Sequence, residues 1–573
     1  MGRRRGRFDV NRGAAASARP PLPGLASART PSSGELLRRA VEADRRKDHA
    51  QAAELAAQAA AADPQSAQAW RLVGVFREKL GDLGAALQAY DQASNLAPDD
   101  AGLARDLGRL SSLLEMPELA EQFLLRARRL APASIEVIND LAYAYCAQAR
   151  FSDAIDLLRE SLTQAPGAAI LWNTLGCVLS ESGQAGQSLV FFDEALRLQP
   201  DMHAAHFNRA NARKATGDIR GALDDSDRAV TLGADGVAQN AMYRYARALV
   251  LLTAGEIGAG WDAYAVRNEP AYPDYVRHDL AEPAWTPGEP LAGRRILVMG
   301  EQGLGDEVLF ANVLPDLARE VGRAGKLIVA VEPRLVSLFQ RSFETAEVVA
   351  YDTRRDGGRP VRAVPGLAAD AYDAWARMGD FMGGRRRTVE DFPAEAGFLR
   401  ADPQRVAHWK VVLEGFGPGP KVGVIWRSLV MTGQRQKFYP PLEHWAPVFS
   451  APGVTFVSLQ LGDSDEELRA IARDTGAVVR TLPGIDLRAD LDDLAALSRA
   501  LDLTLGPATA TTNIAAAAGA PTWFATTPDA WPRLGEAAFP WYPQARAFSG
   551  EQSYDWAGVM AAIAQALRAQ FPL

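Results

Sequence analysis

The sequence predicts an α-helical solenoid followed by an α/β region of two halves, each a parallel sheet wrapped by helices. Two observations carry the prediction. Prolines fall at Pro64, Pro98, Pro132, Pro166 and Pro200, always 34 residues apart. From about residue 292 onward, short apolar runs alternate with helical patterns, the sign of parallel strands joined by crossover helices. At 573 residues the chain is also too long for a single core.

The first 32 residues carry "MGRRRGRFDVNRG", a basic start without the apolar stretch of a signal peptide. They read as a disordered basic arm, either a solvated tail or a contact for acidic partners. The net charge of -8 argues against nucleic acid as the main partner. No apolar run approaches the roughly 18–20 residues of a membrane span, so no membrane partner is expected. The two cysteines, Cys146 and Cys177, have no ligand-like neighbours, which fits a reducing, cytoplasmic setting. The six histidines show no metal-ligand spacing, and no metal is expected.

Residues 33–267 hold the repeat. Trp70 and Trp172, Gly74, Gly108 and Gly176, and Ala52, Ala86, Ala120, Ala154 and Ala222 keep the phase of the prolines. Small residues recur where two helices approach closely, and proline recurs where a helix must stop. This is the tetratricopeptide pattern of helical hairpins, which stack to bury a face that none buries alone. Six clear units run between about residues 33 and 236, and a degenerate one ends near Arg267. Asn139 and Asn173 share a phase on the first helices of successive units, with Tyr143 and Phe207 on nearby groove-facing phases. These side chains either hold an extended peptide or are merely solvated. Cys146 and Cys177 are expected to pack between helices.

Residues 268–291, rich in proline and aromatics and without periodicity, read as a linker. Residues 292–400 form the first α/β lobe, with strands in "RRILVMG", "KLIVAVEP" and "AEVVAYD". The pattern weakens over 353–400, where "RRDGGRP" and "MGGRRRT" read as mobile loops. Residues 401–573 form the second lobe, with strands in "KVGVIW", "VTFVSLQ", "GAVVRTL", "LDLTLGP" and "PTWFATT". Ligands of such folds bind at the carboxyl ends of the strands.

Three stretches at those ends carry candidate chemistry. "GEQGLGDEVLF" places Gly303 and Gly305 in a turn, with Glu301, Asp306 and Glu307 at the strand end or in the first helical turn. Val308 stands where a dinucleotide fingerprint needs its third glycine, so the carboxylates either cap the helix or act in a site. "LGPATATTNIAAAAGAP" offers Thr509, Thr511, Thr512 and Asn513 at a helix start, a place for a phosphate or an ordinary threonine cap. "VIWRSLVMTGQRQKFYPP" delivers Arg427 and Ser428 to a strand end, with Arg435 and Lys437 after them as further cations for a phosphate. The acidic triplet in "GDSDEEL" opens a helix and reads as capping.

Together these pieces resemble a family. "GWDAYAVR", "GEQGLGDEVLFANVLPDL", "VGVIW", "VSLQ", "NIAAAAGAP" and "PWYPQARAF", spread over residues 255–548, look like the glycosyltransferase region of bacterial tetratricopeptide proteins related to the heptosyltransferases. The resemblance implies a GT-B fold of two Rossmann-like lobes and a metal-independent, inverting glycosyltransferase. The first lobe would face the acceptor and the second the nucleotide-sugar, a co-substrate rather than a cofactor. The family's catalytic aspartate lies in a glycine-aspartate turn, which makes Asp306 the implied general base, with Glu301 as support. The implied donor-binding residues are Gly303, Gly305, Arg427, Ser428, Lys437, Gln460, Thr509, Thr511, Thr512 and Asn513. The implied acceptor-binding residues are Glu307, Asn139, Tyr143, Asn173 and Phe207. Heptosyltransferases carry "DTG" and a histidine in the phosphate loop; here stand Ala508-Thr509-Ala510 and Asn513. That variant loop with repeats is similar to the soluble bacterial flagellin glycosyltransferases. The similarity implies transfer of a nonulosonic acid, from a CMP donor, to Ser or Thr of a protein such as flagellin. The alternative is a tetratricopeptide adaptor with a catalytically degenerate scaffold.

Overall fold

The computed structural model describes residues 31–281, 283–429, 431, 435–482 and 484–572. The basic arm expected at the start lies outside the described residues but for its last two positions.

The described residues up to 98 belong to one compact unit. Its described part is two helical hairpins, Ser33–Arg45 with His49–Ala62 and Ala67–Lys79 with Leu83–Leu96. Each helix is started by a side chain that accepts from a backbone amide in the first turn, from Ser32, Asp48, Ser66 and Asp82.

The described residues from 99 onward belong to the second unit. It begins with five more hairpins, from Ala101–Leu113 with Pro117–Leu130 to Val237–Thr253 with Ile257–Tyr264. The chain is thus a tetratricopeptide-repeat protein; among the described residues 14 helices, four in the first unit and ten in the second, precede the sheets. The in-phase residues have direct physical reasons. A Cβ on Gly74 would lie 2.6 Å from the Tyr90 ring, one on Gly108 2.5 Å from Leu124, and one on Gly176 2.6 Å from Phe192. Trp70 Nε1 donates to the Pro64 carbonyl at 3.0 Å and Trp172 Nε1 to that of Pro166 at 2.8 Å, so tryptophan and proline recur as a pair. Cys146 and Cys177 are free, and burial pushes both thiols up to about 12.

Three sheets follow, built from β1 (Arg277–His278), β2 (Arg295–Met299), β3 (Lys326–Val331), β4 (Ala346–Ala350), β5 (Asp352–Asp356), β6 (Arg359–Ala363), β7 (Ala374–Arg377), β8 (Lys421–Val424), β9 (Thr455–Ser458), β10 (Leu503–Pro507), β11 (Thr522–Ala525) and β12 (Ala545–Phe548). The first lobe is a parallel sheet in the order β4-β3-β2-β7, and the second a parallel sheet in the order β12-β11-β10-β8-β9. In the first sheet the chain winds outward from β2 to β4 and then returns to β7. In the second it goes from β8 to β9 and then jumps to β10. Each sheet therefore reverses direction beside its first strand, where side chains at the carboxyl ends can reach a ligand.

Four expectations are corrected. The stretch read as a structureless linker supplies β1, which pairs with β6, and Trp285 bonds through its amide to the Trp375 carbonyl at 2.7 Å. "RRDGGRP" is not a mobile loop but the turn of the β5–β6 hairpin, with Gly357 and Gly358 at φ 57° and 80°, the left-handed pair a two-residue hairpin turn needs. "MGGRRRT" is anchored too: Arg385, Arg386 and Arg387 pair with Glu320, Asp316 and Asp262. "GAVVRTL" makes only an isolated bridge between Arg480 and Val457. Strand β7 does not stand out in the sequence, because "AWAR" is only four residues long.

The two lobes meet along their helices. Ser337 Oγ donates to Asp492 at 2.5 Å, Arg341 pairs with the same carboxylate, and the amides of Phe398 and Leu399 both donate to the Ala517 carbonyl at 2.9 Å. Trp261 and Tyr264 of the last hairpin, Phe310 after the first glycine-rich turn, and Trp531 and Trp541 of the second lobe form one aromatic cluster. The sequence pieces "GWDAYAVR" and "PWYPQARAF" thus meet in space.

Candidate functional site

The glycine-rich turn leaves the end of β2 at the point where the first sheet reverses. Gly300 must be glycine, since a Cβ there would lie 1.8 Å from Glu307 Oε1. Gln302 is held at φ 56°, a costly conformation for a residue with a side chain. The Arg362 guanidinium secures the turn by donating to the carbonyls of Gly300 at 2.6 Å and Gln302 at 2.8 Å.

The three carboxylates of the turn have three different fates. Glu301, 3% exposed, is clasped by Arg267 through two bonds of 2.9 Å and accepts from the Gly379 amide at 2.5 Å. It ties the ends of β2 and β7 together, so its support is structural. Glu307, 1% exposed, accepts from the Glu332 amide and from the Tyr351 hydroxyl, each at 2.9 Å. Burial pushes its carboxyl up to about 7, against the pull of Arg362. Glu307 therefore faces the core, and the expectation that it touches an acceptor is corrected.

Asp306 remains. Its Oδ2 accepts from the Gly303 amide at 3.3 Å, so it does cap the helix Leu304–Phe310. Among the described residues its other oxygen has no hydrogen-bond partner, and the carboxylate lines a cavity of about 540 Å³. Burial raises its pKa to about 6, helped by the charge of Glu301 and opposed by the Gly303 amide. The cavity wall comes from four parts of the chain: Tyr245 of the last hairpin, Tyr272 and His278 of the supposed linker, Arg377 at the end of β7, and Arg435 of the second lobe. A carboxylate that titrates near neutrality and has a free oxygen in a cavity can accept a proton from a bound hydroxyl.

The second lobe brings its helix start to the same turn. A Cβ on Gly305 would lie 3.5 Å from Asn513 Nδ2 and 3.6 Å from the Ala510 amide nitrogen, so the turn comes within van der Waals reach of the start of the helix Ala510–Ala517. Asn513 is fixed by the Tyr542 hydroxyl, which donates to its Oδ1 at 3.2 Å. Thr509 begins this helix as its cap. Thr512 is not free for a phosphate: its hydroxyl donates to the Pro507 carbonyl at 2.7 Å and accepts from the Thr509 amide at 2.9 Å. Thr511 is buried.

The other donor candidates are differently employed. Arg427 forms a two-pronged pair with Glu467, at 2.6 and 2.8 Å, so a phosphate reaching it would have to displace a carboxylate. Ser428 sits partly exposed beside it and accepts from Arg427 through its carbonyl. Gln460 is consumed by backbone: its Oε1 accepts from the amides of Trp426 and Arg427 at 3.1 Å, and its Nε2 donates to the carbonyls of Arg427 and Leu461. It staples the ends of β8 and β9 rather than facing a ligand. Lys437 points to the repeats, pairing with Glu181 at 2.9 Å between the rings of Phe438 and Tyr554. Of the three cations expected near the phosphate, Arg435 is the one at the Asp306 cavity.

The repeat residues are correspondingly tied to one another. Thr174 Oγ1 donates to Asn139 Oδ1 at 2.6 Å, and Asn208 Nδ2 donates to Asn173 Oδ1 at 3.0 Å. Asn173 is 4% exposed, so its amide braces neighbouring repeats instead of meeting a peptide. Phe207 packs on Tyr243 with ring centres 4.9 Å apart. Tyr143, 44% exposed, is the most accessible of the four.

Comparison with known proteins places the chain. It is 44% identical over 534 residues to Protein FlbA of Caulobacter vibrioides, covering 93% of this chain and 89% of that protein. The chain belongs to the FlbA family. No protein-family model matches it. Tetratricopeptide repeat protein 36 of Mus musculus is 46% identical over 57 residues, 10% of this chain and 31% of that protein. Among solved structures, PilW, a type IV pilus biogenesis factor, is 21% identical over 35% of this chain and 92% of its own, with a TM-score of 0.31. A thermophilic tetratricopeptide protein of Thermus thermophilus is 19% identical over 32% of this chain and 98% of its own, with a TM-score of 0.28.

In this family member the residues missed from sequence include Arg267, His278 and Arg377, which line the Asp306 cavity, and Arg362 and Tyr542, which hold the glycine-rich turn and Asn513 beside it. Only two of them lie in conspicuous pieces, Arg267 in "GWDAYAVR" and Tyr542 in "PWYPQARAF". The rest sit on short strands that no periodicity marks.

Proposed function

We propose that the chain is a protein O-glycosyltransferase of the GT-B type. It moves a sugar, a nonulosonic acid from a CMP donor, to a Ser or Thr hydroxyl of a protein acceptor such as flagellin. The observation that carries this reading is Asp306: a carboxylate with one unpartnered oxygen, shifted toward neutrality, in a cavity beside the helix start of the opposing lobe. Two parallel sheets that each reverse direction beside their first strand support the two-lobed fold.

In this reading the acceptor hydroxyl donates its proton to Asp306 as its oxygen attacks the anomeric carbon. The bond from that carbon to the phosphate oxygen breaks, and the nucleotide leaves with the electron pair. The amides at the start of the helix Ala510–Ala517, with Thr509, face the developing negative charge on the phosphate. The repeats recruit the acceptor protein and raise its concentration at the cavity. Displacement from the face opposite the phosphate inverts the anomeric centre.

A second reading, an adaptor with a degenerate scaffold, is favoured by one observation: Arg427 and Thr512 are already satisfied within the protein. Calorimetry separates the two. The enzyme binds a CMP- or UDP-linked sugar, and its Asp306→Asn variant still binds while losing transfer. A chain that binds neither donor is an adaptor.

A further inference from the structure

Arg377 enters the Asp306 cavity from the end of β7, the strand beside β2. Its side chain is only 13% exposed, yet nothing neutralises it well. The nearest carboxylate oxygen, Oδ2 of Asp380, lies 3.9 Å away and already accepts from the Arg377 amide at 3.1 Å. The other Asp380 oxygen is committed to Arg267 at 2.8 Å and Asn268 at 2.7 Å. Among the described residues no oxygen accepts a hydrogen bond from the guanidinium, which is flanked instead by the rings of Trp375 and Tyr275 at 5.3 and 6.0 Å. A guanidinium that opens on the cavity without a protein acceptor is available to a ligand that supplies one.

The same cavity holds further unmet polar atoms. Both ring nitrogens of His278 and Oδ1 of Asn268 are buried without a partner. Burial and the charges of Arg377 and Arg362 keep the imidazole neutral, down to about 3, so it offers one donor and one acceptor. These groups suit hydroxyls. The planar guanidinium suits a carboxylate, which it can grip with two bonds. Asp274 and Asp306 line the same wall and disfavour a doubly charged phosphate.

We propose that the Asp306 cavity binds an acidic sugar, with Arg377 taking the sugar's carboxylate and His278 and Asn268 its hydroxyls. The proposal rests on the reading of this cavity as the place of transfer and adds the residue that selects a charged sugar. The test is calorimetric titration of the full chain with N-acetylneuraminate, its C1 methyl ester, inorganic phosphate and free glutamate. The free sugar acid is expected to bind at least about tenfold more tightly than the ester, glutamate or phosphate, a difference of about 1.4 kcal/mol. Arg377→Met is expected to bring the acid down to the affinity of the ester while leaving the ester unchanged. Because acid and ester are compared on the unaltered protein, the outcome does not depend on how the variant folds. Asp306→Asn removes a negative charge from the cavity wall and is expected to bind the acid at least as tightly as wild type while losing transfer, so loss of transfer and loss of sugar binding are read apart. Equal binding of acid and ester, preference for phosphate, or no binding of the acid at tens of millimolar overturns the proposal.

Discussion

Replacing Asp306 by Asn should make the protein more stable and inactive at once. The carboxyl titrates near 6 in the folded chain against an ordinary value of 3.8. A shift of roughly two units corresponds to about 3 kcal/mol as a ceiling. Asp306 is only partly buried by area, and solvent reaching it reduces the expected gain to about 1–2 kcal/mol. The sign follows from proton binding. Between about pH 4 and 6 the folded chain holds more protons on this group than the unfolded chain does. Stability therefore falls as pH rises through that window, and the full penalty is present above about pH 6. Asparagine keeps an oxygen for the Gly303 amide and carries no charge, so the cap survives and the penalty disappears. Denaturant melts of wild type and Asp306→Asn across a pH series should coincide near pH 4 and diverge toward pH 8, with the variant the more stable. Transfer by the wild type should rise as pH passes about 6, because a base must be ionised to accept a proton. A variant less stable at pH 8, or a difference that does not change with pH, would refute the burial of this carboxylate as the source of its shift.

Other substitutions separate support from chemistry. Glu307→Ala leaves the Tyr351 hydroxyl and the Glu332 amide without their acceptor, and should cost about 2–4 kcal/mol in denaturant melts without selectively raising the KM for acceptor. Glu301→Gln leaves Arg267 underpaired in the core, where breaking a buried pair costs about 3–5 kcal/mol, and should lower the melting temperature at every pH between 6 and 9. Glu467→Gln releases Arg427; calorimetry should show tighter nucleotide-sugar binding if Arg427 borders the donor, and unchanged binding assigns Arg427 to the fold alone.

The repeats were legible because their physics is local and periodic. Gly176 under Phe192, and Trp172 on the Pro166 carbonyl, restate one contact every 34 residues. The strands β2, β3, β8, β10 and β11 were legible as short apolar runs. Asp306 could be singled out because a glycine turn at a strand end is a local pattern. What surrounds it could not. Arg377 lies on a four-residue strand, and His278 lies in a proline-rich stretch that reads as a linker. Arg377 comes to the Asp306 cavity because the first sheet reverses there, and His278 because β1 pairs with β6, matters of topology rather than of spacing. Glu307 and Gln460 failed as ligand contacts for the converse reason. A polar residue at a strand end can face a ligand or staple backbone, and only the orientation of its side chain decides. In both, backbone amides inside the lobe claim the side chain.

The most direct test of the central claim is the intact mass of flagellin co-expressed with this protein and a nonulosonic-acid pathway. Transfer predicts a mass raised by whole sugar residues with the wild-type chain and an unmodified mass with Asp306→Asn. An unmodified flagellin with the wild-type chain, while a control glycosyltransferase is active in the same cells, would contradict it.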